Sequence, residues 1–116
     1  MLSNSLTYPR TTRLLTPLDY KRVFKQAEKL KYNEFTVYIC RNGLEHARLG
    51  LAVSKKAAKK AVTRNKIKRI IRESFRLNQH QLRGWDVVFV ANHAAAHRSS
   101  EQLHQLLVKI WKRLDS

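Results

Sequence analysis

The residues of this 116-residue chain that are best suited to bind a ligand are concentrated in one basic segment. Residues 54–76 carry ten lysines and arginines and a single carboxylate, Glu73. The whole chain has 24 Lys and Arg against 8 Asp and Glu, a formal net charge of +16, so more than half of the excess lies in one fifth of the sequence. A solvated helix face normally interleaves both signs. Charge of one sign at this density predicts a polyanionic partner, and nucleic acid is the usual one.

Helical spacing divides the second half of this segment into an apolar face and a basic face. Arginine fits phosphate with a planar fork and lysine adds a point charge, so a rigid helix that holds both suits a nucleic-acid backbone. The predicted inward positions are Val62, Ile67, Ile70, Ile71, Ser74 and Phe75, and the predicted outward row is Arg64, Lys68, Arg72 and Arg76. Asn65 interrupts the basic run with an amide. That amide either contacts a base edge, a ribose or a hydrated metal, or it is a helix cap or an ordinary surface amide.

The sequence offers no side-chain set for breaking a bond. No histidine lies beside a plausible nucleophile or paired carboxylates; the five are His46, His80, His93, His97 and His104. His93 and His97 have i, i+4 spacing but no third ligand nearby, so we interpret them as surface histidines rather than a metal site. Eight singly scattered carboxylates do not make a two-metal nuclease centre. We therefore expect no catalytic residue and no metal site in the protein itself.

The elements that must position the basic helix indicate one α/β (α+β) domain spanning residues 1–116, with the order αββαβα. Residues 1–15 are polar and irregular and predict an extended amino-terminal arm. The first helix begins with Thr16 as cap, Pro17 at the first position and Asp19 where it favours the dipole. An apolar stripe follows on this helix: Tyr20, Val23, Phe24 and Ala27. One more short strand near residues 29–32 remains open.

Alternation in two runs predicts strands with one apolar face. Residues 35–40 place Phe35, Val37 and Ile39 on one side, and residues 48–54 do the same with Leu49, Leu51 and Val53. If the two strands pair, the opposite side is a shallow floor of small residues beside Tyr38, which suggests a groove. Residues 85–91 read as a buried strand, and Ser99 with Gln102 forms a capping box for the last helix.

The basic segment also carries a specific motif. Residues 50–56, Gly-Leu-Ala-Val-Ser-Lys-Lys, are followed by residues 64–76, Arg-Asn-Lys-Ile-Lys-Arg-Ile-Ile-Arg-Glu-Ser-Phe-Arg. Together they closely resemble the bacterial ribonuclease P protein component, whose signature helix carries Arg-Asn-Arg. Here Lys66 stands at the third motif position, which keeps the charge but loses the bidentate fork. The resemblance extends to Leu14 through Phe24 and covers nearly the whole chain, although the last forty residues match by pattern rather than by motif.

The resemblance implies a role in tRNA processing. The family protein joins a catalytic ribonuclease P RNA, and the ribonucleoprotein removes the 5′ leader from precursor tRNA by endonucleolytic cleavage. The RNA subunit and substrate hold the catalytic Mg²⁺, and the protein binds the leader and strengthens substrate and metal binding. The implied fold resembles a domain of ribosomal protein S5 with a left-handed βαβ crossover, against the general right-handed rule. The implied location is the cytoplasm, with no membrane and no obligate protein partner.

Matching residues inherit two roles from the resemblance. The leader cleft falls on Tyr20, Phe24 and Tyr38, where bases would stack on aromatic rings. Apolar stripes are usually core, so Phe24 is equally well a core residue, whereas Tyr38 and Tyr20 are favoured as contacts. Contacts to the catalytic RNA and the nearby substrate backbone fall on the motif helix and the loop before it: Lys55, Lys56, Arg64, Asn65, Lys66, Lys68, Arg69 and Arg72.

The cysteine content and the apolar runs indicate where the protein works. The lone Cys40 fits a reducing compartment, and the longest apolar run, residues 87–91, is far too short to span a membrane, so we expect a soluble intracellular domain.

Two other functions are compatible with a small basic domain. A ribosomal or nucleoid structural protein would share the charge and size. A peripheral membrane protein would need an exposed apolar face beside the charge, whereas Ile67, Ile70 and Phe75 are more simply core.

Overall fold

A four-stranded mixed sheet forms the centre of the structure, a computed structural model that describes residues 17–115. The strands are β1 (Glu28–Lys31), β2 (Phe35–Arg41), β3 (Arg48–Ala52) and β4 (Trp85–Ala91). Their spatial order is β1-β2-β4-β3; β2 is antiparallel to both neighbours, and β3 is parallel to β4. The condition under which the sequence suggested a groove, direct pairing of β2 with β3, is not met, because β4 lies between them. Apart from Asp86, strand β4 is an apolar run, which suits its central position buried on both faces.

In the part of the chain that the structure describes, three helices flank the sheet and complete an α+β fold, as predicted. They are α1 (Pro17–Gln26), α2 (Ala61–Asn78) and α3 (Ser100–Asp115), with short 3₁₀ helices at Gln79–Leu82 and His93–His97. The predicted order lacked β1, which is the short strand that the sequence left open. Helix α2 lies in the crossover between the parallel strands β3 and β4. The left-handed sense of this crossover stays a prediction. The expected arm, residues 1–15, and the Thr16 cap lie outside the described residues.

The main core lies between the sheet and the helices α2 and α3. Phe89 stacks edge-on against Phe35 and Trp111, with ring centroids 5.4 Å apart in both pairs. The Trp111 indole N–H donates to the buried Ser74 hydroxyl at 2.7 Å, which explains a serine on the inward face of α2. The predicted inward stripe of α2 is buried except at Val62, which is 72% exposed. Val62 precedes Ile67 by five residues, and at 100° per residue that spacing turns it to the opposite side.

The start of α3 confirms the predicted capping box. The Gln102 backbone N–H donates to Ser99 Oγ at 3.1 Å, and Ser99 N–H donates to Gln102 Oε1 at 2.9 Å. Both bonds satisfy amides that the first helical turn would leave unpaired. The capping box therefore determines where α3 begins.

Within residues 17–115, helix α1 is the element that packs on the opposite face of the sheet, where a buried carboxylate holds it. Asp86 of β4 is fully buried. It accepts hydrogen bonds from Arg48 at 2.9 and 2.7 Å, from Asn42 at 2.9 Å and from Arg22 of α1. Burial alone raises the pKa of the Asp86 carboxyl, but these hydrogen bonds and the nearby charge outweigh it and hold that pKa below its usual range. The hydrogen bond to Asp86 also raises the pKa of Arg48.

We predict that Asp86→Asn lowers the free energy of unfolding by about 3 kcal/mol, because it leaves two arginines without their buried counter-charge. Urea unfolding with Glu45→Gln, an exposed carboxylate in the β2–β3 loop, as the matched control measures this loss. Since folding depresses the Asp86 pKa, its contribution is complete above the unfolded value of about 3.9 and is lost as the pH falls through the lower folded value. Equal stability of the two variants at neutral pH would contradict this role.

Candidate nucleic-acid interface

Three aromatic side chains form a row on the α1 side of the sheet. Phe24 of α1 meets Tyr38 of β2 in an edge-to-face contact with ring centroids 4.7 Å apart, and Tyr20 lies 6.4 Å from Phe24. Phe24 is 44% exposed, which places it on the surface rather than in the core. Tyr20 and Tyr38 are half-buried against Val23 and Val88. The structure therefore brings together the three residues of the expected leader cleft and leaves part of each ring open.

Gly50 forms the floor beneath this aromatic row. A Cβ atom built on Gly50 would lie 2.8 Å from Cε1 of Tyr20, closer than real Cβ contacts come. The small residue on the non-core face of β3 is thus required by the ring that lies on it. The sequence predicted a shallow floor here, and the structure shows that Tyr20 occupies it.

The loop before α2 is held by the first residue of the motif. Arg64 donates from one guanidinium nitrogen to the backbone carbonyls of Ala58 at 2.9 Å and Lys59 at 2.8 Å. Ser54 Oγ accepts from Ala57 N–H at 3.1 Å and closes the other end of the same loop. Ala57 and Ala58 are buried as a result, while the lysines of the loop are exposed: Lys55, Lys56, Lys59 and Lys60. Arg64 therefore shapes the loop that presents these cations, a role that its charge alone did not indicate.

The remaining motif residues line the solvent side of α2. A shallow groove of about 340 Å³ runs along Val62, Thr63, Asn65, Lys66 and Arg69. A second depression adjoins it and is lined by Arg69, Arg72, Glu73 and Arg76. The N-cap of α2 is Lys60, so the capping alternative for Asn65 is excluded and its exposed amide faces the groove. Lys68 is half-exposed on the same helix.

The amino terminus of α2 adds to the positive potential of this surface. Its first turn contains no acidic residue, and its N-cap makes no side-chain hydrogen bond. Unpaired amides at a helix start carry partial positive charge and attract anions. The exposed Lys59 and Lys60 lie at the same place. The helix dipole and the lysines thus favour phosphate at one end of the motif helix.

The aromatic row and the motif helix lie on different sides of the sheet. Tyr38 shares its face with α1, whereas α2 packs on the face that carries Phe35 and Phe89. Residues 53–60 leave the end of β3 and connect the two surfaces. The structure therefore does not merge the predicted site residues into one patch. It arranges them as two surfaces joined by a loop that carries Lys55 and Lys56.

Residues 17–115 contain no group of three His, Cys, Asp or Glu side chains arranged to hold a metal ion. The rings of His93 and His97 lie 4.8 Å apart on one short 3₁₀ helix. Among the same residues no helix is both long and apolar enough to cross a membrane.

Sequence reasoning missed the residues that hold α1 in place. Arg22, Arg48 and Asp86 meet across separations of 38 and 64 positions, which no local pattern reveals. The one available signal was the single carboxylate within the apolar run of β4. A charge in that position is normally paired. Lys29 was missed as well, although its ammonium lies 5.6 Å from the centroid of the Tyr38 ring.

Comparisons with known proteins agree with this architecture. The family described as Ribonuclease P matches residues 8–115. The ribonuclease P protein component of Aliivibrio fischeri is 52% identical over 107 residues, which is 92% of each chain. That of Haemophilus influenzae is 46% identical and covers 93% of this chain and 91% of its own.

Solved structures give the same result. A Staphylococcus aureus RNase P protein mutant with defective mRNA degradation activity superimposes with a TM-score of 0.81 at 34% identity, over 89% of this chain and 90% of its own. The RNase P protein from Thermotoga maritima superimposes with a TM-score of 0.77 at 31% identity, over 87% of this chain and 96% of its own.

We predict that Arg64→Lys lowers the free energy of unfolding by about 1–2 kcal/mol, because the lysine nitrogen ends one bond short of the Arg64 nitrogen that donates both hydrogen bonds to the loop. Hydrogen exchange of the backbone amides of residues 57–60 should also become faster. Arg69→Lys is the control, since Arg69 is exposed on the same helix. Unchanged exchange in Arg64→Lys would show that the two bonds do not hold the loop.

Proposed function

The chain belongs to the ribonuclease P protein family, and we propose that within the holoenzyme it binds the 5′ leader of precursor tRNA while the RNA subunit performs the cleavage. Membership makes it the protein subunit of an endoribonuclease that processes precursor tRNA. The leader site, the assignment of its cations and the division of labour with the RNA are the proposal. In this proposal its partners are the catalytic ribonuclease P RNA and precursor tRNA. The proposed localisation is the cytoplasm.

The observation that carries the proposal is the partly open aromatic row. Tyr20, Phe24 and Tyr38 present ring surface on one side of the sheet, and Phe24 is 44% exposed. Exposed rings in a row are a stacking platform for single-stranded bases, worth roughly 1–3 kcal/mol per base. Stacking accepts every base, which suits an enzyme that must process leaders of many sequences. A duplex offers no free base faces, so the row favours the single-stranded leader over the folded tRNA.

The basic surface of α2 and its loop supplies the contacts to structured RNA. We assign to it Lys55, Lys56, Arg64, Asn65, Lys66, Lys68, Arg69 and Arg72. Phosphate contacts fix position and orientation without reading sequence. The connection through residues 53–60 links this surface to the leader cleft, so one protein can hold the leader and the catalytic RNA at a set distance. This is the positioning that an RNA catalyst gains from a protein subunit.

Bond cleavage is assigned to Mg²⁺ held by the RNA subunit and the substrate. The metal would activate the attacking water and stabilise the leaving oxygen. The side chains of this protein contribute charge and stacking, which raise the affinity for substrate and the local concentration of metal ions. In this assignment the isolated protein does not cleave precursor tRNA.

We predict that Tyr38→Ala weakens the binding of precursor tRNA by the reconstituted holoenzyme by about tenfold, because a leader base can no longer stack on that ring. Tyr38→Phe keeps the ring and should bind nearly as well as the wild type. A substrate without a leader should not distinguish the three proteins. The assay combines ribonuclease P RNA, low Mg²⁺ and each protein. Protein that does not stimulate leader release, despite salt-sensitive RNA binding, would indicate a general RNA-binding domain instead.

Gly50→Ala should act on the same cleft through sterics. The new methyl group would overlap the Tyr20 ring, whose far end can swing away at little cost to the fold. We therefore expect a loss of leader-dependent affinity of roughly threefold or more with an almost unchanged unfolding midpoint. Val108→Thr, a change of side-chain polarity at nearly constant size on the exposed side of α3 and away from the cleft, serves as the control. If the Gly50→Ala variant bound precursor tRNA with wild-type affinity, this would show that Tyr20 does not contribute to leader binding.

A further inference from the structure

Strand β1 carries two lysines on the cleft face of the sheet. In its register with β2, Lys29 lies opposite Tyr38 and Lys31 lies opposite Thr36. Leu30 is buried in the main core, so alternation turns Leu30 and Glu28 to the α2–α3 side and both lysines to the side of α1. The strand thus directs its single carboxylate away from the cleft and both ammonium groups toward it.

The Lys29 ammonium already borders the aromatic row. Its Nζ lies 5.6 Å from the centroid of the Tyr38 ring, within the range of a cation–π contact. The Phe24 ring contacts the same tyrosine. A nucleotide carries its phosphate beside its base, so a base that stacks on Tyr38 brings a phosphate close to this lysine. Both lysines are exposed, which leaves their ammonium groups free to reach it.

We propose that Lys29 and Lys31 bind the leader phosphates next to the nucleotide stacked on Tyr38, so that the leader site continues across β1 to the edge of the sheet. This inference rests on the proposed leader-binding function and adds a contact that stacking does not supply. Phosphate contacts ignore base identity, as stacking does. The lysine pair therefore strengthens binding without narrowing the range of leaders.

A purely protective role for the two lysines makes a different prediction. Strand β1 is an edge strand, and lysines on edge strands discourage pairing with other chains. Such a role affects aggregation and has no connection with the leader. Whether the loss of substrate affinity on removing the lysines depends on the leader therefore distinguishes the two roles.

The test compares holoenzymes reconstituted from ribonuclease P RNA and four proteins. These are the wild type, the double variant Lys29→Ala/Lys31→Ala, the conservative variant Lys29→Arg/Lys31→Arg, and the control Lys109→Ala/Lys112→Ala. The control removes two exposed lysines from α3 on the other side of the sheet. Affinity for precursor tRNA is measured over a salt series with a full leader, with leaders shortened stepwise from the 5′ end, and with no leader. Unfolding midpoints confirm that each variant is folded.

With the full leader, the Lys29/Lys31 variant should bind roughly fivefold to tenfold more weakly than the control. Its log–log salt slope should be shallower by about 1.4, because each single-strand phosphate that a lysine neutralises contributes about 0.7 to the slope. The Lys29→Arg/Lys31→Arg variant should restore the affinity. All proteins should bind the leaderless substrate alike, and the cleavage rate at saturating holoenzyme should not change.

Two results would overturn the inference while leaving the leader cleft intact. One is an affinity equal to that of the α3 control with every leader, and the other is an equal loss on the leaderless substrate. Failure of the proposed function itself looks different. In that case the wild type would bind equally well at every leader length, and Tyr38→Ala would behave as the wild type.

Discussion

The hydrogen bonds and ion pairs of the buried Asp86 carboxylate are the interactions that attach the α1 layer to the sheet. They join the central strand β4 to Arg48 of β3, to Asn42 of the loop between β2 and β3, and to Arg22 of α1. Helix α1 has only ten residues and one fully buried side chain, Val23, so neither intrinsic helicity nor apolar burial is enough to hold it. The ion cluster supplies the missing attachment and determines where the aromatic residues of α1 lie above the sheet.

Several of the acidic residues pair with basic ones within the fold, whereas the exposed lysines before α2 are left for a partner. Besides Asp86, Glu34 pairs with Arg98 at 2.7 Å, and Glu73 lies 4.0 Å from His104 between α2 and α3. The exposed cations of the loop before α2 face no comparable carboxylate in the described part of the chain. With a net charge of +16 the protein repels itself, and bound RNA relieves that repulsion. The same charge that opposes folding thus favours assembly with RNA.

Local patterns predicted most of the elements and failed where distant residues decide the outcome. The capping box at Ser99 and the apolar stripe from Ile67 to Phe75 could be predicted because each depends on residues that are close together in the sequence. The insertion of β4 between β2 and β3 was not, since alternation fixes the faces of a strand and not its neighbours. For the site, the aromatic row followed from family resemblance. The bonds from Arg64 to the loop and the contact of Lys29 with Tyr38 depend on geometry that appears only in the folded chain.

Photo-crosslinking from the leader identifies the protein residues that its bases contact. A precursor tRNA that carries a photoreactive base at single positions of its leader is bound to the holoenzyme, irradiated and mapped by mass spectrometry. We expect leader bases to crosslink to the peptides that contain Tyr20, Phe24 and Tyr38. Crosslinks concentrated on α3, with the α1 and β2 peptides unlabelled at every leader position, would contradict this expectation.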